Sequence, residues 1–125
     1  MSDMPRAKPP RVTGIAHLFA AFGYSLGGLR RLWHETAFRH IVFGLPACAL
    51  MLVPTGAGLI EYCVLLILFA CLIAIEALNT AIECIVDHLA PNWMEFARDA
   101  KDLGSLATLC LLFAICVFMA GVFLG

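Results

Sequence analysis

The sequence has few charged residues and no excess of either sign. Charged side chains make up 14% of its 125 residues, and the formal net charge is −1. Nucleic-acid surfaces are basic and interaction tails carry runs of one charge, so this composition argues against both and predicts that no nucleic acid is bound. The hydrophobic content of 62% exceeds the roughly 45 to 50% typical of soluble globular domains. The composition therefore predicts an integral membrane protein.

Several common signatures are also missing. None of the six cysteines forms a C-x-x-C pair, and all lie in apolar stretches, which favours small buried side chains over metal or redox sites. The polar, proline-rich start lacks the apolar segment of a signal peptide, so we expect the amino end to stay in the cytoplasm. The absence of a Gly-rich Walker loop and of soluble-kinase motifs means that any nucleotide site must be built differently.

Hydrophobic patterning divides the chain into a tail and one membrane domain. Residues 1–12 have the composition of a disordered tail. At 13–34, apolar residues recur at three- and four-residue spacing, which predicts an amphipathic helix lying in the membrane interface, with a packing helix of a soluble bundle as the alternative. The domain at 13–125 is then expected to be all-α, because three further runs could each cross a bilayer core about 30 Å thick. These predicted transmembrane helices cover about 37–53, 59–86 and 103–124.

The basic residues predict the orientation of these spans. Six of the eight Lys and Arg lie ahead of the first span or in its first turn, and the other two, Arg98 and Lys101, lie in the connection 87–102. The turn at 54–58 has none. By the positive-inside rule, the amino end and the second connection should face the cytoplasm, and the carboxyl end should lie on the outer side.

A polar stripe runs along the second predicted span. At 100° per residue, the side chains of Glu76, Asn79, Glu83 and Asp87 fall within a sector about 80° wide. Ionisable groups in a membrane helix are costly and usually functional. Carboxylates crowded on one face repel one another unless a cation lies among them, and their hard oxygen ligands suit Mg²⁺. The alternative is a stripe that only joins helices by hydrogen bonds.

Further charged residues are predicted at the same membrane depth. Glu35 precedes the first span, while Lys101 and Asp102 precede the third. A lysine near phosphate oxygens and carboxylates around magnesium would suit phosphoryl transfer, whose catalysis is mostly positioning and charge neutralisation. Taken alone, Lys101 and Asp102 would also be ordinary interfacial anchors.

Two segments make the sequence recognisable. Residues 76–87, EALNTAIECIVD, and residues 100–105, AKDLGS, closely resemble the bacterial integral-membrane diacylglycerol kinases. Shorter matches occur at 23–25, 28–30 and 35–39, so that the resemblance covers about residues 17–124. It implies a homotrimer of three-span subunits with composite active sites, which phosphorylates diacylglycerol to phosphatidic acid with MgATP at the cytoplasmic face of the bacterial inner membrane.

The resemblance also implies roles for individual residues. Glu76 would be the general base and Asn79 would orient the base or the acceptor hydroxyl, while Glu35 and Glu83 would bind the metal. The residues implied in ATP binding are His17, Tyr24, Glu35, Glu83, Asn92, Trp93, Met94, Lys101 and Asp102. Those implied in binding the lipid substrate are Ser25, Arg30, Trp33, Phe38, Arg39, Glu76 and Ser105.

Other functions remain open at the level of sequence. Undecaprenol kinases share this catalytic face and are the alternative within the same enzyme class. A small oligomeric transporter exchanging protons for a cation would also use membrane carboxylates, although these usually lie near the midplane. A membrane scaffold without catalytic activity is the third possibility.

Overall fold

The computed structural model describes residues 4–125, and this part of the chain contains four α-helices and no strand. They are α1, Ile15–Leu32; α2, Thr36–Leu52; α3, Leu59–Leu89; and α4, Glu95–Leu124. The all-α prediction is confirmed. Contacts within the chain group it into two compact units, one ending at Arg31 and the other formed by Leu32–Gly125.

The first unit contains nearly all of α1. This helix begins after Gly14, whose φ of +71° lies in the left-handed region that glycine adopts without a steric penalty. Apolar side chains of the helix are exposed, with Ile15 and Phe19 each 74% accessible. Arg30 and Arg31 lie in the last turn, where positive charge interacts favourably with the helix dipole. The unit therefore presents both a basic end and uncovered apolar surface.

A tight turn joins α2 to α3. Pro54 stands in the 3₁₀ turn at Val53–Thr55, and Gly56 follows with a φ of +74°, a conformation that other L-residues rarely adopt. The Thr55 hydroxyl donates to the Leu52 carbonyl at 2.6 Å. The carboxylate of Glu61 accepts a hydrogen bond of 2.9 Å from the Gly58 N–H at the start of α3. One backbone group at the end of α2 and one at the start of α3 are thus satisfied by side chains of the turn region.

The core of the second unit lies where α3 packs along α4 and α2 packs against α3. In a bilayer, lipid tails are as apolar as these side chains, so close van der Waals packing is the main contribution that stabilises helix association. Gly44 of α2 packs beside Phe69 of α3, and a Cβ at Gly44 would lie 3.7 Å from the ring, an ordinary van der Waals distance. The buried residues of this cluster are Ile41, Leu52, Leu65, Phe69, Leu72, Ile115 and Met119.

A second, smaller cluster holds the adjoining ends of α3 and α4. It consists of Val86 on α3, Ala90 just after it and Ala97 on α4, all buried. Small side chains allow the two backbones to lie close together here. The connection between the helices covers residues 90–94.

Three of the helices are long and apolar enough to cross a membrane, which confirms the predicted number of spans. With 31 and 30 residues, α3 and α4 are each roughly 45 Å long, more than the core thickness of about 30 Å. Helix α4 already begins at Glu95, ahead of the hydrophobic run that starts at 103. Its polar first turns continue the helix because Glu95 favours the helix N-terminus and neither Pro nor Gly occurs at 95–103.

Candidate active site

Glu76 is a buried carboxylate in the middle of α3. Only 5% of the residue is exposed, and its Oε2 accepts a hydrogen bond of 3.5 Å from the Thr108 hydroxyl of α4. The same hydroxyl lies 3.4 Å from the Gly104 carbonyl. Burial of a charged group is expensive unless it is paired or has a function. One long hydrogen bond offsets little of that cost, so Glu76 is the strongest candidate for chemistry in the unit.

Two further carboxylates lie near Glu76. Glu35, at the N-cap of α2, and Glu83, two turns along α3, are both half-buried and close enough for their charges to act on Glu76. Among the described residues, no group of three or more His, Cys, Asp or Glu side chains is arranged to hold a metal ion. Within a single chain, the three carboxylates are therefore close enough for their charges to interact but do not form a complete coordination shell. The metal-binding roles of Glu35 and Glu83 stay predictions.

Asn79 of α3 packs directly against Gly104 of α4. A methyl group at Gly104 would collide with the Asn79 Oδ1, so glycine at this position allows the amide to occupy the helix interface. That Oδ1 is buried and has no hydrogen-bond partner in the described part of the chain. Buried polar atoms are nearly always paired, and an exception calls for a functional explanation.

The ends of α3 and α4 are joined by an ion pair. The Lys101 Nζ lies 2.6 Å from the Asp87 Oδ1, and Glu83 is close enough for its charge to act on the same ammonium. Lys101 on α4 is thereby linked to Asp87, the last residue of the polar stripe on α3. The contact joins an ammonium to a carboxylate and is therefore a charge-assisted hydrogen bond.

A cavity of about 360 Å³ opens beside this ion pair. It brings together five of the residues predicted to bind ATP, which come from the connection and from α4. They are Asn92, Trp93, Met94, Lys101 and Asp102. Arg98 also lines the cavity, with its guanidinium 5.9 Å from the centre of the Trp93 ring, in cation–π range.

A second cavity, of about 410 Å³, reaches Glu76 from the side of α2. Its wall is mostly apolar, with contributions from Ile41, Phe69 and Leu112, and the Glu76 carboxylate and Thr108 hydroxyl add polar groups. Pockets of this kind bind largely apolar molecules and orient them through a few polar contacts. The cavity is therefore suited to a ligand with a long apolar part and a hydroxyl group.

The remaining predicted residues are distributed over two units. His17, Tyr24, Ser25 and Arg30 lie exposed on α1, where the Ser25 hydroxyl donates to the Ala21 carbonyl at 3.1 Å. In the second unit, the half-exposed ring of Trp33 makes an edge-to-face contact with the buried Phe38 at 6.2 Å. Arg39, which donates to the Thr36 hydroxyl at 3.4 Å, and Ser105 are exposed there.

Comparison with known proteins identifies the family. The sequence pattern of prokaryotic diacylglycerol kinases matches residues 23–123. The chain belongs to the prokaryotic diacylglycerol kinase family. A diacylglycerol kinase of a Sinorhizobium species is 49% identical over 108 residues, which are 86% of this chain and 79% of that protein. The Haemophilus influenzae diacylglycerol kinase is 32% identical over 117 residues, 90% of this chain and 96% of that protein, and the Escherichia coli K12 enzyme is 35% identical over 103 residues, 78% and 80%.

In this member of the diacylglycerol kinase family, the structure adds residues that the sequence did not single out for the site. Gly104 admits Asn79, Thr108 contacts Glu76, and Arg98 lines the cavity at the helix ends. The sequence did contain a signal for Gly104 and Thr108. A glycine inside a long helix costs about 1 kcal/mol relative to alanine and so suggests a close approach, and Thr108 lies one turn beyond it on the same face.

Proposed function

We propose that this member of the diacylglycerol kinase family transfers the γ-phosphoryl group of ATP to the primary hydroxyl of diacylglycerol, yielding phosphatidic acid and ADP. One observation carries the proposal. The buried Glu76 carboxylate opens onto an apolar cavity and lies within electrostatic range of two further acids at one end of the helix bundle. This combination suits an acceptor that is itself a lipid.

The proposed reaction consists of one proton transfer and one phosphoryl transfer. Glu76 accepts the proton of the lipid hydroxyl as the oxygen attacks the γ-phosphorus. The new bond joins that oxygen to phosphorus, and the bond from the γ-phosphorus to the oxygen bridging it to the β-phosphate breaks, so that ADP leaves. General-base catalysis of this kind contributes about 10² to 10⁴ in rate. Asn79 would orient the base or the acceptor hydroxyl, and its unpaired Oδ1 supports that role.

Glu35 and Glu83 would hold Mg²⁺ together with the phosphates of ATP. Both side chains are half-buried carboxylates, and Mg²⁺ typically takes one or two protein carboxylates, completing its shell with water and phosphate oxygens. The residues present therefore fit the ion. When bound, Mg²⁺ neutralises charge on the phosphates. Its presence would also relieve the repulsion among the three neighbouring acids.

The nucleotide would bind at the cavity between the ends of α3 and α4. Lys101 would contact phosphate oxygens and Asp102 would help to hold the nucleotide, while Asn92, Trp93 and Met94 supply the rest of the wall. His17 and Tyr24 of α1 complete the proposed set. The clustering of five predicted residues around one cavity supports this assignment.

The lipid would reach Glu76 from the membrane. The apolar cavity provides room for part of an acyl chain, and Ser25, Arg30, Trp33, Phe38, Arg39 and Ser105 are proposed to line the approach. We propose that α1 lies in the membrane interface with its exposed apolar side chains in lipid.

The proposed assembly is a homotrimer in the bacterial inner membrane, with composite sites between neighbouring subunits. Most side chains of the three spans are not buried within the single chain, which supports packing against further copies. The amino end and the connection between α3 and α4 would face the cytoplasm, where ATP is available, and the carboxyl end would face outwards.

The proposal is tested by transfer of labelled γ-phosphate in detergent–lipid micelles. Purified protein should label 1,2-diacylglycerol in the presence of Mg²⁺ and give only background label without Mg²⁺. A parallel assay with undecaprenol tests the alternative acceptor. Glu76→Gln should lose at least about a hundredfold in turnover. Glu61→Gln, a matched change on α3 at the turn with α2, should remain active. Label on neither lipid would overturn the proposed function.

A further inference from the structure

None of the residue roles proposed above involves the ion pair between Asp87 and Lys101. Asp87 belongs to the polar stripe of α3, yet it is exposed and far less enclosed than Glu76. Its carboxylate nevertheless lies 2.6 Å from the Lys101 ammonium, and the two side chains are 64% and 44% exposed, respectively. Asp87 is thus the member of the stripe with a direct contact to the candidate phosphate-binding lysine.

The backbones that carry the pair are fixed independently of it. Val86, next to Asp87, packs with Ala90 and Ala97 in the small cluster that joins the ends of α3 and α4. Lys101 follows Ala97 by one helical turn and therefore emerges on the same side of α4. A partly exposed ion pair adds little to stability. Its main consequence here is to restrict where the lysine ammonium lies.

Restriction matters for a lysine because its stem is long and flexible. Four methylene groups give the ammonium many positions, and each contact with a ligand must offset the entropy lost on fixing one of them. An ammonium has three N–H donors. Asp87 engages one, which leaves two for other acceptors. Because Asp87 and Lys101 both line the 360 Å³ cavity, the fixed ammonium lies at its wall.

We propose that Asp87 is a positioning residue that holds the Lys101 ammonium at the wall of this cavity, ready to bind the phosphate groups of ATP. The inference rests on the proposed function, to which it adds a role for Asp87. Asp87 acts through Lys101 and need not touch the nucleotide. Binding of ATP then leaves the pair in place, and phosphate oxygens take up the free N–H groups.

Competition between Asp87 and phosphate for Lys101 would change nucleotide affinity in the opposite direction. If Asp87 competed with phosphate for the ammonium, its removal would release Lys101 and tighten nucleotide binding. If Asp87 positions Lys101, its removal lets the ammonium occupy many positions and weakens nucleotide binding. Kinetic measurements on one substitution therefore distinguish the two.

The test compares Asp87→Asn with Asp87→Glu in the micelle assay, using diacylglycerol as acceptor. For Asp87→Asn we expect the KM for MgATP to rise about fivefold to tenfold while kcat changes less than about twofold, the pattern of lost ground-state binding. Asp87→Glu retains the charge and should stay within about threefold of the parent KM. Glu95→Gln, a loss of one carboxylate on α4 outside the cavity wall, serves as the matched control and should leave KM unchanged.

A second measurement separates positioning from general loss of structure. Calorimetric binding of a non-hydrolysable ATP analogue with Mg²⁺ is compared in the parent and in a Lys101→Gln background. If Asp87 acts through Lys101, Asp87→Asn should weaken binding in the parent and add nothing once Lys101 is replaced. An unchanged or lowered KM in Asp87→Asn, or equal effects in both backgrounds, would overturn the inference. A parent protein that transfers no phosphate to lipid would instead overturn the proposed function, and the binding comparison would still test the pair.

Discussion

At the scale of single residues, the three acids on the polar face of α3 have different surroundings. Glu76 is buried against Thr108, Glu83 is half-buried, and Asp87 is exposed and paired with Lys101. The stripe therefore passes from an enclosed carboxylate to an open one within three helical turns. Since burial alters the cost of carrying charge, identical or similar side chains on one face can serve different purposes.

This difference predicts distinct kinetic effects for two otherwise equal substitutions. Glu76→Gln removes the proposed base, so turnover should be lost while binding of MgATP is retained. Glu83→Gln removes a proposed metal ligand, so the KM for MgATP should rise and the Mg²⁺ concentration for half-maximal rate should increase, each by about tenfold or more. Initial rates over a grid of ATP and Mg²⁺ concentrations measure both.

The role assignment has a clear contradicting outcome. If Glu76→Gln shifted the Mg²⁺ requirement and Glu83→Gln left it unchanged, the proposed base and metal ligand would have to be exchanged. Turnover of both variants at the parent rate would remove both assignments.

At the scale of helices, α3 and α4 pack closely at one glycine. Gly104 is buried, and the Asn79 side chain occupies the space that any larger residue would need. The crossing also fixes the height of Lys101 and Thr108, which lie one turn before and one turn after Gly104 on α4. The contact between Asn79 and Gly104 therefore lies at the level of the candidate site on α4.

Gly104→Ala should accordingly destabilise the protein despite the higher helix propensity of alanine. Inserting a methyl group into a packed interface typically costs about 1 to 3 kcal/mol, and we expect a fall of this size in the unfolding free energy in detergent, with reduced activity. Gly121→Ala is the control, because a Cβ at that position of α4 meets nothing within 4 Å. It should be neutral or slightly stabilising.

A double substitution tests whether the collision with Asn79 is the cause. Asn79→Ala in the Gly104→Ala background should recover part of the lost stability, because the colliding amide is removed. Stability of Gly104→Ala equal to that of Gly121→Ala would contradict the close approach.

At the scale of the whole molecule, the second unit has a small core and a large apolar exterior. Long apolar side chains such as Leu59, Leu66 and Phe113 are exposed on α3 and α4. Lipid covers such side chains at no cost, and neighbouring subunits can do so as well. The carboxylates collected by a single chain also lack a full metal shell within the described residues. In the proposed assembly, adjacent copies would complete each site.

We expect native mass spectrometry of the protein released from detergent micelles to show three chains as the main species. Subunit contacts made of van der Waals packing persist in mild detergent. Protein diluted in the same detergent should keep this stoichiometry. A spectrum dominated by single chains at every concentration would contradict the trimer.

The expected orientation is tested with epitope tags on the two ends. In bacterial spheroplasts, protease added outside should remove a carboxyl-terminal tag and spare an amino-terminal one, because the positive-inside rule predicts a cytoplasmic amino end. Inverted membrane vesicles provide the control and should give the reverse result. Removal of the amino-terminal tag from intact spheroplasts would contradict the predicted topology.

The sequence alone determined those features that depend on periodicity and composition. Three apolar runs predicted three spans, since a bilayer of fixed thickness demands a fixed length of helix. The spacing of Glu76, Asn79 and Glu83 defined a single polar face, since an α-helix repeats every 3.6 residues. These are properties of continuous segments, so they can be read along the chain without knowing what packs against them.

Only the tertiary structure decided which residues from distant segments meet. The contact of Asp87 with Lys101 and the close approach of Asn79 to Gly104 join α3 to α4, and both depend on the relative height and rotation of two helices. Those quantities arise from the packing of side chains such as Phe69 and Ile115 in three dimensions. Sequence periodicity leaves them open, because it fixes the face of each helix but not the partner that the face receives.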